Sequence, residues 1–263
     1  KWMEYVTCFV LRKSTFFTSD ANVTRDKAVA YGMNPEKTIV FPWGVDLEHF
    51  KPETEHATRN TQHGLDTQKT LLDPQPRNTF TLFCNGSCET RYGLDMLARA
   101  FVKVAGQNEN VDLILLNGGS QSANIRRILQ SSGVLDRVTF GGQVSQTDLP
   151  RWYHMADLYI SPSHVDGSSV SLMEALGCGL PCLVSDIPAN KEWVFENENG
   201  WLFRDGDADH LAEKILAAIS QREKLPEIGR ASRRPAEMRA DWKKNSEALM
   251  NVYRSLIKSD SHL

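Results

Sequence analysis

The chain has 263 residues, a formal net charge of −3 and no apolar run of the roughly 18–20 residues needed to cross a bilayer. Hydrophobic content of 41% and charged content of 24% are those of an ordinary globular protein, and the slightly acidic balance argues against nucleic acid as a main partner. Five cysteines without the tight paired spacings of a zinc site, and a start too short and polar for a secretory signal, point to reduced thiols and a cytoplasmic location. The chain opens at Lys1 without an initiator methionine, so a fragment is expected.

Trp2, Tyr5, Val6, Phe9 and Val10 recur at helical spacing and predict a helix with one packed face. Residues 15–18 and 38–41 are short β-prone runs, with a helix expected over 20–31 between them. Pro42-Trp43-Gly44-Val45-Asp46 then breaks the pattern as a hinge would. Residues 51–78 are polar, with few large apolar side chains, and predict an irregular surface loop. Beyond it, strands are expected at 79–84, 111–116, 138–140, 158–161 and 182–185. Helices are expected at 93–105, 124–130, 148–155, 172–177 and 207–219. Apolar strands alternating with amphipathic helices imply a parallel sheet covered on both faces, with right-handed crossovers. The last segment, 235–257, places Met238, Trp242, Leu249, Val252, Tyr253 and Leu256 on one helical stripe that calls for a partner surface.

The chemistry concentrates in residues 161–203, SPSHVDGSSVSLMEALGCGLPCLVSDIPANKEWVFENENGWLF. Asp166 and Glu174 flank the small-residue run Gly167, Ser168, Ser169, Val170 and Ser171, which leads into a helical pattern. Free amides and the dipole at a helix start suit a phosphate or pyrophosphate. A carboxylate one turn further on can accept hydrogen bonds from a sugar diol. Asn117-Gly118-Gly119 follows a strand and allows close backbone approach to a ligand. His164 reads as a surface histidine, and Asp205-Gly206-Asp207 as a turn and helix cap rather than a metal triad. The glycine pattern Gly177-Cys178-Gly179 follows a helix and precedes a strand, the reverse of a dinucleotide fingerprint, so a dehydrogenase is excluded.

These residues resemble the retaining glycosyltransferases of family 4. Three further blocks extend the resemblance: PEKTIVFPWGVDLEHFKP (35–52), LDRVTFGGQVSQTDLPRWYHMADLYISPS (135–163) and RADWKKNSEALMNVYRSL (239–256). The resemblance implies an α/β fold of GT-B type. A Rossmann-like parallel sheet would carry helices on both faces, with the remnant of a preceding Rossmann-like domain before it. The implied organisation is an acceptor-domain remnant over 1–46, a link and flexible loop over 47–78, a donor-binding domain over 79–234, and a C-terminal helix over 235–263 packing back across the junction. In the family the first acidic residue, here Asp166, contacts hydroxyls of the transferred sugar, and the second, here Glu174, holds the ribose diol. Gly167, Ser168, Ser169, Val170 and Ser171 present amides to the diphosphate, and Phe140 to Val144, with Gly142 and Val144 as donor-binding candidates, lie where relatives form the nucleobase edge. Gly86, Arg91 and Gly118 fall in the loops around the phosphates. Tyr92 stands where a lysine is usual, and Gly86 or Ser87 where an arginine is usual, which leaves Arg91 as the nearest cation. The implied activity is sugar transfer from a UDP- or GDP-linked donor to a glycan or lipid-linked acceptor, with no resident cofactor and no catalytic metal. A non-catalytic nucleotide-sugar binding module is the alternative. Family members often work at a membrane face, so peripheral association at the inner face of a membrane stands open beside a cytoplasmic location.

Overall fold

The computed structural model describes residues 1–53 and 79–260. The segment before residue 53 holds α1 (Trp2–Lys13), β1 (Phe17–Ser19), α2 (Asn22–Ala30) and β2 (Thr38–Val40), with β1 and β2 paired in parallel. From residue 79 the order is β3 (Phe80–Cys84), α3 (Leu94–Ala105), β4 (Val111–Leu116), α4 (Ser122–Ser131), β5 (Val138–Gly142), α5 (Leu149–His154) and β6 (Leu158–Ser161). It continues through α6 (Val170–Gly177), β7 (Cys182–Ser185), α7 (Pro188–Lys191), β8 (Gly200–Phe203), α8 (Ala208–Ser220), α9 (Leu225–Arg239) and α10 (Trp242–Asp260). The six strands β3 to β8 form one all-parallel sheet in the order β5-β4-β3-β6-β7-β8. The expected Rossmann-like architecture is present, and the order in which strands are added reverses between β3 and β6. At such a switch point the loops leaving adjacent strands diverge and leave a crevice at the carboxyl edge.

Strand sequences explain the two covered faces. In β3, Leu82 and Cys84 point into the core beside α3 and α8, while Phe83 between them points into the opposite core beside Tyr153 and Tyr159. The same alternation sends Leu113 and Leu115 of β4 one way and Ile114 and Leu116 the other. All of these side chains are at most 5% exposed, and each fully buried aliphatic or aromatic side chain contributes about 1.5–3 kcal/mol.

Three expectations need correction. The helix expected over 235–257 is two helices, because α9 runs through residue 234 and carries Pro235 in its interior. It stops at Ala240, where the Asp241 carboxylate takes the Lys243 amide at 2.9 Å and so starts α10. The boundary drawn at 235 therefore falls inside α9. Secondly, no residue of α1 is buried, and Trp2, Tyr5, Phe9 and Val10 are exposed. Met238, Trp242 and Tyr253 of the second apolar stripe are likewise exposed. Val6 of the first stripe and Leu249, Val252 and Leu256 of the second are half-buried. Thirdly, the start of the link is not loose. Phe50 is 1% exposed in the core beside Tyr153, and Arg233 donates to the carbonyls of Phe50 (2.7 Å), Leu47 (3.2 Å) and Gly177. The remainder of the expected loop, 54–78, lies outside the described residues.

Contacts on two sides tie the first segment to the large sheet domain. Val45 forms a parallel bridge with Asp241, and its amide donates to Ala240 O at 2.8 Å. On the other side Glu192 accepts from Asn22 Nδ2 (2.6 Å) and the Val23 amide (3.2 Å), while Arg239 donates to the Glu192 carbonyl at 2.7 Å.

Candidate functional site

The crevice at the switch point is a cleft of about 590 Å³. The loop leaving β3 supplies Asn85, Gly86, Ser87 and Tyr92; the turn leaving β6 supplies Ser161, Pro162, Ser163, Asp166 and Ser168. The start of α6 adds Ser169, Val170, Ser171 and Glu174, and Val144 and Gln146 close one end. Asp20 and Trp43 reach it from the first segment. Gly118 and Gly142 line an adjoining hollow that shares Ser87 and Asn117 with the cleft. Gly167 lies behind the lining, and Arg91 lies outside it.

The α6 start is chemically open. Ser169 is the N-cap residue with no side-chain cap, and its hydroxyl instead lies 3.3 Å from that of Ser171. Among the described residues the amides of 169–172 donate to no protein acceptor. These are the unsatisfied donors of a helix N-terminus, and they carry its partial positive charge. Tyr159 OH donates to Ser171 Oγ at 2.9 Å and fixes that first turn from below.

Glu174 is 3% exposed at the cleft wall. Its Oε1 accepts from Gln146 Nε2 at 2.9 Å and its Oε2 from Tyr153 OH at 2.8 Å. Burial pushes its pKa up, opposed by those two hydrogen bonds and by His49 and Asn85 nearby. Each carboxylate oxygen keeps unused acceptor capacity. Behind it Asn117 sits in the left-handed region at φ 65° and donates to Asn85 Oδ1 at 2.8 Å, and Asn85 lies 3.4 Å from Tyr153 OH. Strained backbone of this kind persists where surroundings hold it, commonly beside functional groups.

Asp166 is half-buried, with Oδ1 accepting the Gly167 amide at 2.9 Å. Burial raises its pKa; the Gly167 amide and Ser169 hydroxyl oppose this, the negative charge of Asp20 adds to it, and Arg91 draws it down. Arg91 itself is turned onto its neighbour, donating to Tyr92 OH at 2.7 Å with its guanidinium 4.6 Å from the ring centre. His164 pairs with Asp205 at 2.6 Å, and Asp207 caps α8 by accepting the amides of Asp209 and His210. Neither belongs to the cleft lining. A second hollow of about 630 Å³ beside α3 and α8 contains Arg99, Lys103 and Arg204, each already paired with Asp95, Asp209 or Asp207.

Sequence reasoning did not single out Asp20, Gln146 or Tyr153. Tyr153 reads as one more aromatic on a packed helix; the only hint is that a buried phenol needs a hydrogen-bond partner. Gln146 lies in a polar loop with no signal.

Comparison with known proteins gives the cleft a context. A family model described as group 1 glycosyl transferases matches residues 73–248. The chain is 30% identical over 260 residues to a D-inositol 3-phosphate glycosyltransferase of Xylanimonas cellulosilytica, covering 91% of this chain and 58% of that one. It is 24% identical over 223 residues to a GDP-mannose-dependent phosphatidylinositol monomannoside mannosyltransferase of Mycobacterium tuberculosis, covering 81% and 54%. The fold superposes on that of HepE from Anabaena in complex with UDP-glucose with a TM-score of 0.80 at 19% identity, covering 96% and 67%. The chain thus spans little more than half the length of the curated relatives it matches.

Proposed function

The chain belongs to the group 1 glycosyl transferases, and from that we propose that its cleft is the nucleotide-sugar half of a transferase acting with retention, of the family 4 type. The observation that carries this reading is Glu174, a buried carboxylate oriented by Gln146 and Tyr153 beside the open amides of α6. In this reading Glu174 accepts both hydroxyls of the ribose, and the diphosphate lies on the amides of residues 169–172. Asp166 orients hydroxyls of the transferred hexose. Gly86 and Gly118 let backbone approach the phosphates, and Gly142 to Val144 border the base. Arg91 contributes through its field on Asp166 rather than by contact with phosphate.

During transfer the bond between the anomeric carbon and the β-phosphate oxygen breaks, and the acceptor hydroxyl oxygen takes its place on the same face. The acceptor proton goes to the departing phosphate. Fixed amides at a helix start stabilise the charge that develops there without reorganisation, and positioning supplies much of the remaining rate. UDP- and GDP-linked hexoses are the donor class, and a glycan or lipid-linked hydroxyl compound is the acceptor class. Donor binding that survives EDTA is part of the same reading. Relatives named as glycosyltransferases do not favour a non-catalytic binding module.

Calorimetric titration with UDP, UDP-glucose, GDP and GDP-mannose tests it. At least one pair binds, and Glu174→Ala weakens that binding about tenfold or more, the worth of a charge-assisted hydrogen bond at roughly 1.5–3 kcal/mol. Equal affinities for wild type and variant would overturn the ribose assignment.

A further inference from the structure

We propose that Asp20 is a second carboxylate of the sugar site, accepting hydroxyl hydrogens from the transferred hexose opposite Asp166 and helping to set which hexose is held. The inference rests on the nucleotide-sugar reading above and adds a residue contributed by the first segment.

Asp20 stands between β1 and α2, where an acidic residue ordinarily serves the helix. It does not do so here. The N-cap of α2 is Ala21, and no side chain caps it. Instead the carboxylate crosses to the small-residue loop, where Oδ2 accepts the Ser168 amide at 3.0 Å. A side chain at Gly167 would place its Cβ 2.7 Å from Asp20 Oδ2 and 3.2 Å from Oδ1. The backbone at Gly167 is not left-handed, so the approach of Asp20 is what demands glycine there.

The carboxylate has acceptor capacity for about four hydrogens. Among the described residues the Ser168 amide is its one hydrogen-bond donor, and no cation pairs with it. The rest of its capacity faces the cleft, which Asp20 lines together with Ser163 and Asp166. A half-buried carboxylate with spare lone pairs is matched by a ligand rich in O–H donors. Charge points the same way. The described lining holds three carboxylates (Asp20, Asp166 and Glu174) and no Lys, Arg or His. Two carboxylates facing each other repel a phosphate and suit a neutral polyol, so phosphate belongs at the amides of α6 and the hexose between Asp20 and Asp166.

Asp20 is also held still. Ser19 Oγ donates to the Ala21 carbonyl at 2.8 Å, and Asn22 and Val23 are bonded to Glu192. The chain on both sides of Asp20 is thereby fixed, which describes a preorganised contact rather than a swinging arm.

The test compares Asp20→Asn and Asp20→Ala with wild type in the full chain, using the nucleoside diphosphate alone and its hexose conjugate (UDP and UDP-glucose, GDP and GDP-mannose). Asparagine keeps an oxygen for the Ser168 amide and so guards against a folding defect, checked by circular dichroism and thermal melting. The expected result is that both variants bind the nucleoside diphosphate within about twofold of wild type. Both should bind the conjugate about tenfold or more weakly, the loss of one charge-assisted hydrogen bond. An unchanged ratio of the two affinities overturns the proposal. Equal tightening toward both ligands overturns it as well, since that is the signature of a carboxylate that merely obstructs the Ser168 amide. If wild type binds neither ligand of either pair, the donor-site reading fails first and this one with it.

Discussion

The hydroxyl of Tyr153 lies 2.8 Å from Glu174 Oε2 and 3.0 Å from the Ser171 carbonyl oxygen, with a single hydrogen to give. With Glu174 ionised, that hydrogen belongs on the carboxylate. With Glu174 protonated, the carboxyl donates to the phenol oxygen and the phenol donates to Ser171. The protonation state of Glu174 thus selects between two hydrogen-bonding arrangements of the first turn of α6.

Nucleotide affinity should fall with pH earlier than an ordinary carboxylate would allow. Burial raises the pKa of Glu174 above 4.5, so the folded protein holds this proton at pH values where the unfolded chain has released it. Stability from this group is therefore fully present below pH 4.5 and is lost as pH rises through the raised folded value. Binding runs oppositely, since the diol needs the ionised form. Titrations across that window should show weakening on acidification in wild type and a flat profile in Glu174→Gln. Urea melts should show Glu174→Gln gaining on wild type as pH rises.

Tyr153→Phe removes one of the two donors that orient Glu174 and leaves the aromatic packing against Phe83 and Phe50. Nucleotide binding should weaken about three- to tenfold, with a stability loss of about 1 kcal/mol for one hydrogen bond. Calorimetry and chemical denaturation read the two effects separately. An affinity unchanged despite the expected stability loss would show that Tyr153 supports packing alone.

Arg233→Ala should destabilise the protein by about 2–4 kcal/mol. It strips the donor from three carbonyls, those of Leu47, Phe50 and Gly177, and leaves acceptors without partners. Because two of them belong to the link before residue 53, limited proteolysis should cut that link faster in the variant. Urea unfolding gives the energy and the cleavage pattern gives the location.

Gly229→Ala sets helix propensity against packing. Alanine gains about 1 kcal/mol in a helix interior. Its Cβ, however, would stand 2.3 Å from the Gly179 carbonyl oxygen, where α9 crosses the turn after α6. Overpacking against backbone costs typically 1–3 kcal/mol. A net loss of stability is expected, read as a lower denaturation midpoint, and a gain would mean that α9 can slide.

The sheet was legible because fully apolar runs such as Phe80–Cys84 alternate with helical patterns, and burial on two faces leaves few other arrangements. That Asp166 and Glu174 line one cleft was legible because the stretch that carries them is local, a loop and the first turns of one helix. Asp20 was not, since its meeting with Ser168 spans 148 positions and depends on how α2 docks against α7. The end of α9 was misjudged for a different reason. The last helical segment was drawn from Pro235, and no helix was assigned to the residues just before it, yet Pro226 sits in the first turn of α9 and Gly229 at a close contact, where each fits a helix. Asp241, an ordinary helix-starting residue, was the overlooked signal.

The bridge between Val45 and Asp241 bears on how this protein can be recombined with others. The first segment is secured by residues that arrive nearly two hundred positions later: Asp241 on Val45, the Trp242 amide on the Val45 carbonyl, and Asn245 on the Pro42 carbonyl. A chimera spliced once near residue 46 would pair a foreign segment with a native α10. Exchanges that keep their seam intact need two cuts, carrying residues 1–46 and the start of α10 as one cassette.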